Sequence, residues 1–268
     1  MQRKYRLILR LSALLLMVAS PGAHARGYAS TGKCGIYPRL AITSPSGTCV
    51  GLIADDAHGL RFPRRVLEIE PGRIWVLDMG NWMPQVGQLI ELRLPPDAAT
   101  PANANTTARA VEARVLLSKL NYPSGMARGP DGKIYIGEAD KIWRAAVPSL
   151  GQTPQPELLA SGLPADGAHL LKELAFAPDG SLYVNMGSAT DACRGEDQKQ
   201  AVPCPERSTA MPRAAVWRMV LQAGKQPVKE FKPFASGLRN SMALAVMPDG
   251  PAAGTVWQGE NNIDYRDP

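Results

Sequence analysis

Of the 268 residues, 30 are Lys or Arg and 24 are Asp or Glu, a formal net charge of +6. Four of those basic residues (Arg3, Lys4, Arg6 and Arg10) precede residue 25 and no acid does, so the remainder carries 26 basic against 24 acidic side chains. No Lys/Arg cluster is left in that remainder, which excludes nucleic acid as a partner.

The basic opening runs into LSALLLMVAS and then Ala23-His24-Ala25. A basic segment, a short apolar core and a small-x-small site read as a secretory signal peptide, residues 1–25, cut before Arg26. The apolar run falls short of the roughly 20 residues that a spanning helix needs, so no integral membrane span is expected in the mature chain. An uncleaved anchor is the alternative. Export to a periplasmic or extracellular space suits the cysteines, because disulfides persist there. Cys34, Cys49, Cys193 and Cys204 allow three pairings, and proximity favours Cys34–Cys49 and Cys193–Cys204, each bracketing a polar, turn-rich segment. A metal site is the competing reading; the spacings match no C-x-x-C pattern and no histidine lies nearby.

From Phe62 onward the chain repeats. The copies are FPRRVLEIEPGRIWVLD (62–78), YPSGMARGPDGKIYIG (122–137), LLKELAFAPDGSLYVN (170–185) and NSMALAVMPDGPAAGTVWQG (240–259). The turn glycines Gly72, Gly132, Gly180 and Gly250 stand 60, 48 and 70 residues apart. The first interval holds VLEIE, RIWVLD, QLIELRLP and ARVLLSKL. The second holds GMARG, KIYIG, KIWRAAV and PELLASGL, and the third ELAFA, SLYVN, AVWRMVL and KEFKPFASGL. Their alternation and Gly/Pro/Asp punctuation predict half-buried antiparallel strands. Each turn has a local cause: Pro presets φ, Asp bonds its own backbone, and Gly takes the positive φ. Residues 97–109 read as a flexible polar tip, and 188–213 as a long loop ordered by the second cysteine pair. No long amphipathic helix pattern follows the leader. A long-period repeat of strands is the signature of an all-β propeller with one blade per copy.

Ten residues before the turn Asp (Pro71 in the first copy) stand Arg61, Asn121, His169 and Arg239. They immediately precede the innermost strand of each blade, which predicts four side chains on one rim, facing the axis. Loop residues are usually polar, so this register alone does not make a site. The histidines sharpen it. His24 leaves with the leader, His58 in DDAHGL reads as a solvated loop residue, and His169 alone sits at the rim register, where an imidazole serves as a general base near neutral pH. Two remaining histidines exclude a His-rich metal site. The absence of G-x-S-x-G, and of G-x-G-x-x-G after a strand, leaves a hydrolase elbow and a nicotinamide-binding unit unsupported.

The segments HLLKELAFAPDGSLYVNMG (169–187), GLRNSMALAVMPDG and VWQGENNIDY resemble the pyrroloquinoline quinone (PQQ)-dependent glucose/sorbosone dehydrogenases. Those are exported six-bladed propellers, and the resemblance runs from about Pro63 to the last residue. It implies that His169 is the general base, taking the proton of the sugar's anomeric hydroxyl while hydride passes to the quinone. It places Arg239 against the PQQ, where a guanidinium suits quinone and carboxylate oxygens, with Asn240 as its polar neighbour. It assigns the main-chain carbonyls of Asn262 and Ile263 to Ca²⁺, a hard cation that takes oxygen ligands. Two positions depart from the family: Ser188 stands where those enzymes carry an Asp supporting the histidine, and Leu120 where they carry a glutamine.

The expected activity is oxidation of an aldose or related sugar, with electrons leaving to an external acceptor. The alternatives are a non-catalytic propeller that binds carbohydrate or protein, and a metal-dependent lactonase-type propeller, for which acids are scarce at the rim register. Three full repeats and half of a fourth, against six in the family, read residues 26–268 as a C-terminally incomplete propeller domain. A four-bladed ring completed by N-terminal strands at 39–43 and 50–54 is the alternative.

Overall fold

Each repeat turn folds as its residues require. Gly72, Gly132, Gly180 and Gly250 all take positive φ, between +73° and +82°. Asp131 Oδ1 accepts the Lys133 N–H (3.2 Å) and Asp179 Oδ1 accepts the Ser181 N–H (2.9 Å), so the aspartates hold the backbone two residues ahead. A computed structural model describes residues 30–96, 111–195, 197 and 199–261. The leader, the 97–109 segment, Asn262 and Ile263 lie outside the described residues.

The first blade is a four-stranded antiparallel sheet of β3 (Pro63–Glu70), β4 (Arg73–Asp78), β5 (Gly87–Arg93) and β6 (Glu112–Leu120), where β1 and β2 are the short N-terminal strands Ser30–Cys34 and Tyr37–Leu40. The second comprises β7 (Gly125–Arg128), β8 (Ile134–Gly137), β9 (Lys141–Ala145) and β10 (Glu157–Ser161). The third comprises β11 (Leu174–Phe176), β12 (Leu182–Met186), β13 (Ala215–Leu221) and β14 (Val228–Ser236), and a two-stranded fourth sheet pairs β15 (Ala243–Val246) with β16 (Val256–Gly259). The innermost strands β3, β7, β11 and β15 lie side by side in that order. The fold is an all-β propeller. Among the described residues there is no α-helix, only 3-10 turns at Asp56–His58 and Pro205–Ser208.

Cores form between blades. Trp75, Leu77 and Leu89 of the first meet Met126, Ile134, Ile136 and Trp143 of the second. Tyr135 and Ile142 meet Leu182, Val184 and Trp217 of the third. Strand geometry explains the split: successive side chains point to opposite faces, so Ile134 and Ile136 face one neighbour and Tyr135 the other. Each large side chain buried this way contributes roughly 2–3 kcal/mol. Tyr183 and Val216 carry the packing on to Leu244 and Val246.

β1 and β2 pair with each other, and Arg39 bridges to Gly51. These strands therefore form their own hairpin and do not complete the fourth sheet, against the four-bladed alternative. Cys34–Cys49 closes this hairpin and Cys193–Cys204 closes the long loop of the third blade, each with its Cα atoms 5.7 Å apart.

Candidate functional site

Because paired strands are antiparallel, each innermost strand begins on the face where its neighbour ends. Three of the four sheets close that face with the same device. In the first, Asp78 Oδ2 accepts the N–H groups of Arg61 (2.7 Å) and Phe62 (2.8 Å). In the second, Glu138 Oε2 accepts the Asn121 N–H (2.5 Å), and the Ala139 N–H returns to the Asn121 carbonyl (2.9 Å). In the fourth, Glu260 Oε1 accepts the Asn240 N–H (2.7 Å), and the Asn261 N–H returns to the Asn240 carbonyl (3.1 Å). Asn240, rather than Arg239, is thus the counterpart of Asn121: the register slips by one residue in the fourth copy. The sequence reading missed these carboxylates, although each directly ends a predicted second strand in RIWVLD, KIYIGE and VWQGE.

The third blade is built differently. Its second strand leads into Gly187-Ser188, and here His169 is held. His169 Nδ1 lies 2.9 Å from both the carbonyl oxygen and Oγ of Ser188. The Ser188 hydroxyl donates to the Thr190 carbonyl (2.6 Å), so Oγ faces the imidazole as an acceptor. Both contacts therefore require the proton on Nδ1, which makes Nε2 the basic nitrogen. Ser188 thus offers the ring two neutral acceptors. Gly187 permits the approach, since a Cβ there would fall 2.4 Å from the His169 carbonyl oxygen.

The surroundings are ordered from several directions. The Ser188 N–H donates to the Arg239 carbonyl (2.8 Å), joining the third and fourth sheets beside the histidine. Glu206 accepts the Ala189 N–H (2.5 Å), the Thr190 N–H (3.1 Å) and the Thr190 hydroxyl (2.5 Å), fixing the strand of loop next to Ser188. Buried Arg213 donates to the Gly187 carbonyl (3.2 Å) and pairs with Asp166 (2.8 Å). Lys172, three residues from His169, is almost fully buried, and its Nζ donates to the carbonyls of Leu170 (2.6 Å) and Pro164 (2.9 Å). Burial, reinforced by the Arg213 charge, pushes its pKa down to about 7. Nothing in the repeat register marked this lysine.

Arg239 is held by Asp191 (Nε–Oδ1 2.6 Å, Nη2–Oδ1 2.5 Å) and by the Asn261 carbonyl (2.8 Å). Its guanidinium is oriented, and its charge is shared with a carboxylate. Beside it, Asn240 Oδ1 is buried with no hydrogen-bond partner, as is Asn121 Oδ1 at the equivalent place in the second sheet. His169, Ser188, Arg239 and Asn240 come together; Arg61 points to solvent from the first sheet. His58 bonds Asp55 (2.9 Å) and closes a 3-10 turn. A cationic donor next to an orphaned buried acceptor fits a planar group that carries oxygen acceptors and one ring N–H.

No protein-family model matches the chain, and no curated protein matches it by sequence. Solved structures do match in shape. The calcium structure of a Carbohydrate-Active Enzymes Family AA12 protein from Trichoderma reesei aligns at 21% identity with a TM-score of 0.54, covering 80% of this chain and 48% of that one. The holo form of the pyranose dehydrogenase PQQ domain from Coprinopsis cinerea aligns at 18% identity with a TM-score of 0.50, covering 77% and 45%. A gluconolactonase from Xanthomonas campestris aligns at 15% identity with a TM-score of 0.45, covering 85% and 64%. The chain spans about half the length of the first two. At this identity the likeness is one of fold.

Proposed function

We propose that this chain is an exported PQQ-dependent oxidoreductase acting on an aldose or related sugar. The observation that carries the reading is the His169 imidazole, held at Nδ1 by Ser188 on the face where Arg239 and Asn240 stand. His169 Nε2 takes the proton from the anomeric hydroxyl, and the Ser188 acceptors stabilise the imidazolium that results. Arg239 would hold the cofactor through its oxygens, and Asn240 would stand beside it as a polar neighbour. PQQ, when bound, supplies the acceptor for the hydride, and an external acceptor takes the electrons onward. Ca²⁺, bound through the carbonyls of Asn262 and Ile263, completes the proposed cofactor set. Support comes from the propeller fold, from the donor and acceptor set, and from a solved neighbour described as a PQQ domain. The lactonase-type reading ranks below this one: among the described residues Asp78, Glu138 and Glu260 each hold a backbone N–H, and no group of three carboxylates gathers there to take a metal.

The test is a spectral titration of the secreted protein with PQQ and Ca²⁺, followed by dye-linked oxidation of aldoses. His169→Ala should lower kcat by ~10²–10⁴-fold while cofactor still binds; Arg239→Ala should weaken cofactor binding. Failure to bind PQQ at micromolar concentration would end the proposal.

A further inference from the structure

The loop after β4 and the segment before β7 lie on the face of the candidate site, next to Arg61 and Asn121, and present a run of aromatic side chains. Phe62 and Trp82 meet edge to face with centroids 6.0 Å apart, and Trp82 and Tyr122 stand 6.5 Å apart, inclined by 41°. Trp82 is 56% exposed and Met83 beside it 58%. Contiguous apolar side chains left this open beside a site mark a binding surface. The run is held in place. The Asn81 side-chain oxygen accepts the Met83 N–H (2.7 Å), and the Tyr122 hydroxyl donates to the Trp82 carbonyl (3.4 Å). Gly87 presses so closely on Pro123 that a Cβ would fall 2.4 Å from its Cδ, which seats the loop against the segment carrying Tyr122. Gln85, Lys119 and Tyr122 hold φ of +58°, +60° and +48°, conformations that cost energy in residues with side chains and gather at ligand-binding places.

We infer that Phe62, Trp82 and Tyr122 form a saccharide platform that seats the sugar units beyond the one delivered to His169, so that the substrate is a soluble oligo- or polysaccharide. A pyranose offers an apolar C–H face to an aromatic ring and hydroxyls at its edge to a group such as the Tyr122 hydroxyl, whose oxygen can still accept while it donates to the Trp82 carbonyl. Rings inclined by 64° and 41° cannot bed together on a flat crystalline ribbon, whereas a curved soluble chain meets each in turn. The direction of the chain, oxidisable end toward His169, rests on the function proposed above.

The platform is tested without turnover. Cofactor-free protein is titrated calorimetrically with maltotetraitol, laminaritetraitol and cellotetraitol, whose reduced ends offer no anomeric hydroxyl. At least one should bind, and Trp82→Ala should weaken it by about tenfold or more while lowering the melting temperature by no more than about a few degrees, since more than half of the side chain is exposed. No binding by any of the three at millimolar concentration, or equal affinity in Trp82→Ala, overturns the inference. Alditol binding lost in Trp82→Ala in a protein that oxidises no aldose upholds the platform and removes only the oxidation. Oxidation of monosaccharides without alditol binding does the reverse.

Discussion

Ser188 touches the His169 ring, and buried Lys172 follows it by three residues. Ser188 offers neutral acceptors to Nδ1, whereas a carboxylate there would favour the charged imidazolium. Ser188→Asp should therefore move the acid limb of the pH–rate profile to higher pH, and Ser188→Ala, which keeps the carbonyl acceptor, should cost less than tenfold in kcat with no such move. An unmoved profile in Ser188→Asp would show that this contact does not tune the base. Lys172 makes a second prediction. Its folded pKa is lowered from 10.5 to about 7 by burial and by Arg213, with Asp140 and Asp166 opposing. Between those values the unfolded chain holds more protons than the folded one, so this residue makes stability rise with pH across that window. Below about pH 7 both states are protonated and the penalty is constant. Lys172→Met should remove that rise. Denaturant titrations of both proteins from pH 7 to 10 would show the wild type gaining on the variant; parallel curves would refute the assignment.

At the scale of elements, a repeated carboxylate closes the first, second and fourth sheets. Glu138 is nearly fully buried and also accepts the Trp143 indole N–H (2.7 Å) and pairs with Lys141 (3.1 Å). Glu138→Ala should destabilise by about 2 kcal/mol, because it strands buried donors, and Glu138→Gln by less; equilibrium unfolding measures both. This device also shows what could be read from sequence. The turns and strands were legible because their causes are local: a Pro-Asp-Gly triplet and alternation over a handful of residues. The carboxylate contacts link residues 17 and 20 apart, and an Asp or Glu at a strand end looks like any solvated loop acid. The fourth copy is one residue shorter between its rim and its turn, so counting ten back from the Asp reached Arg239 where the fold equates Asn240 with Asn121. His169 was legible because histidines are few; its support by Ser188 was not, since a backbone carbonyl has no sequence signature.

Across the whole molecule, contacts reach beyond adjacent blades. Arg65 of β3 pairs with Glu173 at the head of β11, passing the blade between them. Glu173 is almost completely buried and Arg65 about one-third exposed. Arg65→Ala should cost about 3 kcal/mol by leaving a buried charge uncompensated, and Arg65→Met with Glu173→Gln should recover most of it. Thermal melts of the single and double variants decide this; additive losses would show that the two do not act as a pair. The third blade has no carboxylate latch of its own and is fastened by others: Arg65 from the first, Ser124 of the second through its hydroxyl to the Lys172 carbonyl and amide (3.0 and 2.9 Å), and Arg239 of the fourth through its carbonyl to the Ser188 N–H (2.8 Å). Beyond its own Asn185, which ties the head of β11 to β12, the blade that carries the histidine therefore leans on all three of the others, and loosening of any neighbour reaches it. On heating, the activity proposed above should fade several degrees before the sheets melt: heat would silence this protein before it unfolds it.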